Sequence, residues 1–263
     1  MFINNLEPIL FHWGLITIRW YGLLLACGVI SALLILLKLF KQSKYSVALL
    51  FDLFTWLIIG GLVGARLGEV LFYNPSFYFS HPLEIIFINH GGLSSHGMTL
   101  GILATFALYY KIKRIDIRKY IDTIVISIPL LASFIRIGNY FNSEILGTPT
   151  NFAWGVWFQR VDGSELYRHP VQIYESLTTL GLFFVLYFVY KKYKNRVPQY
   201  FFLNLFFITY FFARFILEFF KARQGIDDTS LLTAGQILSI PFIAVGILYF
   251  ISYFRKRRRI VTT

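Results

Sequence analysis

The sequence predicts an all-α integral membrane protein with seven transmembrane helices, its N-terminus outside the cell and its C-terminus in the cytoplasm. Of 263 residues, 57% are hydrophobic and only 14% are charged, whereas ordinary soluble domains contain roughly 25% charged residues. The mean hydropathy is +0.62, and a soluble protein of this size could not bury so much apolar surface in one core. The sequence also contains apolar stretches about as long as a membrane span, and every second one is followed by a basic segment, as in a multi-span membrane protein.

The predicted spans follow from length, because a membrane-crossing helix needs about 20 mostly apolar residues. The stretches that fit cover residues 19–38, 49–71, 94–110, 121–141, 172–190, 200–220 and 235–254. Several contain charged residues, so hydropathy alone makes some of them marginal. Together they predict a single polytopic membrane domain over residues 1–263. The N-terminus lacks the basic segment of a cleavable signal peptide, so we expect the whole chain to be mature protein.

The distribution of lysine and arginine predicts the orientation. Basic clusters follow the first, third, fifth and seventh spans, at residues 38–44, 111–119, 191–196 and 255–259. Because basic loops stay on the cytoplasmic side, these four segments are expected there. This placement also explains most of the net charge of +12, so no nucleic-acid partner is needed to account for it.

Charged and polar residues inside the spans indicate a site near the outer leaflet. A charge in hydrocarbon is costly, so an intramembrane arginine is a functional-site hypothesis. The arginines concerned are Arg19, Arg66, Arg136 and Arg214. Other polar residues are expected at the same depth, namely Glu69, His96, Asn139, Asn142, Glu144, Glu175 and Glu218. Asp52 and Asp122, at cytoplasmic ends, are expected to cap helices or to pair with loop lysines.

This set of side chains favours an anionic lipid as the ligand, because the arginine fork binds phosphate well. The sequence contains no nucleotide-binding loop, no HExxH pair and no GxSxG turn. Its histidines lack metal-ligand spacing, and Cys27, the one cysteine, makes neither a disulfide nor a metal cluster. We therefore expect transfer chemistry on a phospholipid, without a metal or other cofactor.

Two outer segments are long, at residues 72–93 and 142–171. The second is expected to form a small cap with short strands, for example at 153–160. In the second span, Gly60, Gly64 and Gly68 recur at four-residue spacing, a pattern that allows close helix packing.

Two other classes of protein remain as alternatives. A transporter for an anionic solute also carries charged residues at depth, but it needs polar residues at both faces, and the sequence shows no inverted repeat. A non-catalytic lipid-binding or scaffold protein would need no thiol acceptor.

Three motifs resemble those of the prolipoprotein diacylglyceryl transferases. Residues 90–97, HGGLSSHG, resemble that family's histidine motif, residues 136–147, RIGNYFNSEILG, are similar to its signature, and residues 168–175 read RHPVQIYE. The likeness covers nearly the whole chain. Two positions depart from the family pattern. Ile135 replaces a common glycine, and Glu218 leads into Lys221, Ala222, Arg223 and Gln224 where arginine commonly follows the EFF run.

The resemblance implies an enzyme of the bacterial plasma membrane. Members of the family transfer the diacylglyceryl group of phosphatidylglycerol to the thiol of a prolipoprotein lipobox cysteine, which forms a thioether and releases glycerol phosphate. The partners implied are therefore phosphatidylglycerol, the lipobox segment and the lipid bilayer.

The resemblance also suggests residue roles. We expect His96 to be the base that activates the thiol, whose ordinary pKa is about 8.5; the alternative is a structural hydrogen bond at a helix start, and the identity of the base stays open. Arg136 and Arg214 are expected to bind the phosphate leaving group, and Glu218 to hold Arg214. The residues expected to bind substrate are Tyr21, Arg66, Asn139, Asn142, Glu144, Gly147, Glu175 and Glu218. His12, His81 and His90 are expected to be structural, whereas for His169 both interpretations remain.

Overall fold

The computed structural model describes residues 1–14, 16–87, 91–223 and 231–261. The chain is mostly helical there, and every predicted span forms a helix. The long helices are α1 (Trp20–Gln42), α2 (Val47–Gly68), α4 (Ser95–Lys113), α6 (Ile128–Asn142), α7 (Val171–Tyr193), α8 (Phe201–Leu217) and α9 (Ala234–Val261), and the short ones are α3 (Pro75–Ser80) and α5 (Ile121–Ile124). His90 and Gln224 lie outside the described residues.

Within the described residues, six helical stretches are long and apolar enough to cross a membrane. They are Trp20–Gln42, Val47–Tyr73, Ile117–Asn142, Val171–Tyr193, Phe201–Phe220 and Ala234–Lys256. They match six of the seven predicted spans. The remaining one, predicted at 94–110, forms α4, which has the length of a span but includes His96 in its first turn and two lysines in its last. These polar ends lower its apolar character, so its composition alone does not mark it as a span.

The chain divides into two compact units. The first unit contains Met1–Leu36 and Ile121–Thr263, and the second contains Leu37–Tyr120.

Short strands accompany the helices of the first unit. β1 (Phe2–Asn4) pairs in parallel with β4 (Val156–Phe158), which pairs antiparallel with β5 (Tyr167–Arg168). A separate hairpin joins β2 (Ile9–Trp13) and β3 (Ile16–Arg19). The strand predicted near 153–160 is confirmed by β4. The strands of the N-terminal segment were not predicted, because they are short and lack a clear alternating pattern. Arg19 ends β3 instead of lying inside the first helix.

Glycines bring α2 and α4 together in the second unit. A Cβ atom at Gly64 would lie 2.6 Å from the Cα of Gly101, and one at Gly68 would lie 2.6 Å from the Cα of Gly97. Such distances leave no room for a side chain, so the close packing predicted from the glycine spacing is confirmed. The N–H of Ser94 also donates to the carbonyl of Ala65, which ties the start of α4 to α2.

The two aspartates predicted to have structural roles have them. In the first unit, the carboxylate of Asp122 accepts the N–H groups of Tyr200 at 2.7 Å and Leu203 at 2.9 Å. It therefore satisfies backbone donors at the start of α8, which an isolated helix leaves open. In the second unit, Asp52 pairs with Lys113 at 3.2 Å and accepts the hydroxyl of Tyr109.

Candidate functional site

Four charged side chains of the first unit form a continuous chain of ion pairs. The Nε atom of Arg136, on α6, lies 3.0 Å from Oε2 of Glu175, on α7. The Nζ atom of Lys221 lies 2.8 Å from Oε1 of Glu175 and 3.0 Å from Oε2 of Glu218. Glu175 is only 5% exposed. Because an unpaired buried charge is costly, each of these groups needs its partner of opposite sign.

The end of α6 folds back on itself through a hydrogen-bonded turn. Ser143 has a φ of +54°, and the N–H of Glu144 returns to the carbonyl of Asn139. The reversal places the Glu144 carboxylate over the amides of Asn139 and Asn142, at 3.1 and 3.2 Å. The amide oxygen of Asn139 in turn accepts from Nη1 of Arg136 at 3.3 Å. The polar residues of this part of the predicted signature therefore form one network.

Gly147 allows two backbone segments to approach closely after this turn. A Cβ atom there would lie 2.1 Å from the carbonyl oxygen of His169, so no other residue fits. Gly147 pairs as an isolated bridge with Lys221, and the N–H of Ala222 donates to the carbonyl of Leu146 at 2.9 Å. This glycine was expected to bind substrate. In the structure, Gly147 holds the segment of Lys221 and Ala222 beside the turn.

Arg214 occupies a different electrostatic position from Arg136. It lies in the last turn of α8 and is half-buried, and its side chain forms no hydrogen bond or ion pair with any residue that the structure describes. Together with Arg136, Glu175 and Tyr210 it lines a small cavity of about 20 Å³, which is space for roughly one water molecule.

The predicted contact between Arg214 and Glu218 is wrong, because Glu218 pairs with Lys221 instead. The reason is local. The α-helix ends at Leu217, and Glu218–Phe220 forms a 3₁₀ turn. The N–H of Glu218 still bonds to the carbonyl of Arg214, as in an α-helix, but the 3₁₀ turn that follows brings Lys221, whose N–H donates to the carbonyl of Glu218 at 3.2 Å, onto the same face as Glu218. The spacing of 218 and 221 is therefore the productive one.

The first unit also places Tyr21 beside this network. A Cβ atom on Gly138 of α6 would lie 2.8 Å from the Cδ2 atom of Tyr21. Glycine at 138 therefore lets the ring of Tyr21 pack directly on the helix that carries Arg136. This position fits the expectation that Tyr21 lines the site.

In the second unit, Arg66 organises a loop. It is 5% exposed, and its Nε donates to the carbonyl of Ile85 at 2.9 Å while Nη1 donates to the carbonyls of Gly91 and Gly92 at 2.6 and 2.9 Å. Further contacts reach the carbonyls of Glu84 and Phe87 and the hydroxyl of Tyr78. A guanidinium has five N–H donors, so these contacts use its capacity. Arg66 was expected to bind substrate, but in the structure it binds backbone carbonyls of the same unit.

His96 lies in the first turn of α4 and is exposed. The hydroxyl of Ser94 accepts the N–H of Gly97 at 3.1 Å and so caps the helix. The Nδ1 atom of His96 lies 2.9 Å from the hydroxyl of Tyr73. Tyr73 was not predicted as a site residue, because nothing in the sequence indicates the irregular turn that places it there.

The other described histidines differ in their surroundings. Nδ1 of His12 lies 2.8 Å from the hydroxyl of Thr17, and Nδ1 of His81 lies 3.1 Å from the carbonyl of Phe77; both are local contacts of the kind expected of structural residues. His169 is buried, and its Nδ1 lies 3.2 Å from the hydroxyl of Tyr174. Burial lowers the pKa of His169 below its ordinary value.

The family model for the prolipoprotein diacylglyceryl transferases matches residues 8–252. The chain belongs to this family. Three relatives are named phosphatidylglycerol–prolipoprotein diacylglyceryl transferase. The one from Tolumonas auensis is 36% identical over 98% of this chain and 100% of its own length, the one from Chloroherpeton thalassium is 41% identical over 93% and 91%, and one from Bacteroides fragilis is 36% identical over 97% and 96%.

The resemblance deduced from the three motifs is thus confirmed, and the protein is a transferase. Its apolar helices are those of a multi-pass membrane protein. Of the residues proposed for its site, Arg66 and His96 belong to the second unit and the others to the first.

The two departures from the family pattern have different consequences in this transferase. Lysine at 221 keeps a positive charge between Glu175 and Glu218, and each of its contacts has the length of an ion pair. Lysine reaches both carboxylates as a point charge, without the planar fork that arginine would bring. Nothing in the structure explains Ile135.

Proposed function

We propose that the protein transfers the sn-1,2-diacylglyceryl group of phosphatidylglycerol to the lipobox cysteine thiol of prolipoproteins, the first step of bacterial lipoprotein maturation. The names of the relatives supply the lipid and the acceptor class. The products are a thioether-linked prolipoprotein and glycerol phosphate.

The observation that carries the proposal is the half-buried Arg214 next to Arg136. The charged residues around Arg214 include three carboxylates, Glu144, Glu175 and Glu218, and three cations, Arg136, Lys221 and Arg214, so this set carries no net charge. Yet the carboxylates already bind Arg136, Lys221 or asparagine amides, and Arg214 binds none of them. A phosphate would provide the missing partner, and a guanidinium can bind it through two parallel hydrogen bonds.

The size of the cavity sets a condition on this binding. At about 20 Å³ it admits roughly one water molecule, so side chains must move before a phosphodiester can enter. Arginine has a long, flexible side chain, and the absence of described partners for Arg214 lets it move without breaking an ion pair. Arg136, held by Glu175 and Asn139, is the fixed member of the pair.

The reaction we propose is a displacement at the carbon of the diacylglyceryl group that bears the phosphate. The thiolate sulfur forms a C–S bond to this carbon while the C–O bond to the phosphate breaks. The departing glycerol phosphate takes the bonding electron pair, and Arg136 and Arg214 stabilise its charge. The thiol proton passes to His96, because histidine is the residue type that most often acts as a general base. This step needs no metal and no nucleotide.

The remaining residues are proposed to position these groups. Glu175 holds Arg136 through the ion pair, and Asn139, Asn142 and Glu144 keep the turn after α6 in shape. Tyr21 packs against this helix at Gly138, where it can line the path of the lipid.

We further propose that α4 is the seventh span, that the N-terminus lies outside and that the C-terminus lies in the cytoplasm of a bacterial plasma membrane. Cysteine labelling tests this in a Cys27→Ala background. A membrane-impermeant thiol reagent should label Asn5→Cys and spare Arg114→Cys, which follows α4. Labelling of both Asn5→Cys and Arg114→Cys from outside would show that α4 does not cross the bilayer, whereas labelling of Arg114→Cys alone would show that the orientation is inverted.

The activity is tested with the purified protein, phosphatidylglycerol in micelles and a lipobox cysteine peptide, followed by mass spectrometry. We expect the cysteine to gain a diacylglyceryl mass with release of glycerol phosphate. A peptide with serine in place of that cysteine is the control and should stay unmodified. No modification, under conditions in which a relative is active, would contradict the proposal and favour a transporter or a scaffold.

A further inference from the structure

The candidate base His96 has one defined contact on its ring. Nδ1 lies 2.9 Å from the hydroxyl of Tyr73, and Nε2 has no hydrogen-bond partner in the part of the chain that the structure describes. His96 is also exposed. Its two nitrogens are therefore distinguished: one is engaged by a phenol and the other is open.

An irregular turn places Tyr73 where it can make this contact. After Gly68, α2 continues as a π-helical turn over Glu69–Tyr73. The N–H of Asn74 bonds to the carbonyl of Glu69 at 3.0 Å, five residues back, and the side-chain amide of Asn74 donates to the Glu69 carboxylate at 2.6 Å. Pro75 then begins α3. Single π-helical turns inside α-helices are rare and occur frequently at functional sites.

We propose that Tyr73 is a positioning residue for His96, with its phenol oxygen accepting the Nδ1–H so that Nε2 carries the free lone pair. This inference rests on the proposed function, because it needs His96 to act as the base.

The tautomer of His96 decides which ring nitrogen can take up a proton. A neutral imidazole has one N–H donor and one acceptor nitrogen, and the hydrogen bond at one nitrogen determines the state of the other. If Nδ1 accepted from the phenol, Nε2 would carry the hydrogen and could not take a proton. With the hydrogen on Nδ1, Nε2 can accept the thiol proton as the C–S bond forms. The hydrogen stays on Nδ1 and donates to the phenol oxygen of Tyr73 throughout. The phenol therefore stabilises the imidazolium and does not itself lose or gain a proton.

Kinetics of single and double variants test this role. Tyr73→Phe keeps the ring and removes only the hydroxyl. We expect a fall in kcat of roughly 10- to 100-fold, the range of a hydrogen bond to a charged group, with an unchanged KM for phosphatidylglycerol. In a His96→Gln background the same substitution should have no further effect, because the group through which Tyr73 acts is gone. Tyr110→Phe, an exposed tyrosine on the same helix as His96, is the matched control and should leave the rate unchanged.

The double variant separates this inference from the proposed function. If the unmodified protein is inactive, the proposed function fails. If it is active and Tyr73→Phe lowers the rate equally with and without His96, the phenol acts independently of His96 and the inference is overturned. An unchanged rate in Tyr73→Phe overturns it as well.

A second measurement does not depend on activity. Nitrogen NMR of the protein with ¹⁵N-labelled histidine, assigned through the His96→Gln variant, reports which ring nitrogen carries the hydrogen. We expect Nδ1–H in the unmodified protein and a shift toward Nε2–H in Tyr73→Phe. A neutral His96 ring with its hydrogen on Nε2 and none on Nδ1 in the unmodified protein would contradict the inference, whether or not any variant folds poorly.

Discussion

Lys221 lies 2.8 Å from the carboxylate of Glu175, and the same carboxylate binds Arg136 at 3.0 Å through its other oxygen. One buried acid thus holds two cations from different parts of the chain. Because Glu175 takes part in two ion pairs and Arg136 in one of them, Glu175 should matter more to stability than Arg136.

Glu175→Gln should lower the stability of the folded protein strongly. The substitution keeps the shape but leaves Arg136 and Lys221 without this anion, and breaking a buried pair typically costs about 3–5 kcal/mol. Thermal unfolding in detergent would measure the effect. Glu165→Gln, at an exposed acid that binds only the hydroxyl of Tyr167 among described residues, is the control and should leave the midpoint nearly unchanged.

Lys221→Gln tests the same chain of ion pairs from the side of the cation, because Lys221 lies between Glu175 and Glu218. It breaks two ion pairs, as Glu175→Gln does: Glu175 keeps Arg136, but Glu218 loses its cation, so the cost should be comparable to that of Glu175→Gln. Equal stability of the Glu175→Gln variant and the unmodified protein would show that the chain of ion pairs does not hold the fold together.

Arg214→Ala should reduce transfer with little loss of stability. The side chain has no described partner, so its removal breaks no ion pair, whereas loss of a donor that stabilises developing charge costs roughly 10² to 10³ in rate. Initial rates with phosphatidylglycerol and a lipobox peptide measure this, with thermal unfolding as the companion. Arg118→Ala, an exposed arginine paired with Asp116, should change neither. Undiminished transfer by Arg214→Ala would end its assignment to the phosphate.

The sequence predicted the helices well because their signal is long and collective. Each span of about 20 residues averages over single exceptions, and the glycine spacing of α2 has a direct geometric meaning. The side-chain partners were harder to predict. Glu218 lies four residues after Arg214, a spacing that predicts a pair on an α-helix, but the 3₁₀ turn over Glu218–Phe220 brings Lys221 onto Glu218, and Glu218 pairs with Lys221 instead.

Arg66 illustrates the same limit. An arginine in a span predicts function because an unpaired charge there is costly, yet backbone carbonyls of a loop can satisfy it equally well. The carbonyls that bind Arg66 come from residues 84–87 and 91–92, and nothing in the side chains of these residues indicates this. The contact of Tyr73 with His96 likewise depends on a π-helical turn that has no clear sequence signal.

Arg66→Met should disorder residues 84–87 and 91–92, whose carbonyls it binds, instead of weakening lipid affinity selectively. Methionine keeps an apolar stem of similar length but cannot donate to the carbonyls, which then lose their partners away from water. Limited proteolysis should show faster cleavage at these residues. If the variant instead folds normally and shows only a raised KM for phosphatidylglycerol, Arg66 binds substrate, as the sequence first suggested.

Acidification should destabilise the protein through His169. Nε1 of Trp154 donates to the hydroxyl of Tyr174 at 2.7 Å, so that hydroxyl can donate to the unprotonated Nδ1 of His169. Burial also lowers the pKa of His169 in the folded state, whereas in the unfolded chain it is about 6.5. The unfolded state therefore binds more protons as the pH falls through this value, and stability is lost from about pH 7 downward.

The measurement is the unfolding midpoint between about pH 7.5 and pH 5, compared with His169→Gln, which cannot take up the proton. We expect the midpoint of the unmodified protein to fall more steeply on acidification than that of the variant. The variant should be less stable at pH 7.5, because it loses the buried ring and its contacts with Phe152 and Phe220, but the two curves should converge toward low pH. Parallel curves would show that His169 has the same pKa in both states and that its burial carries no pH dependence.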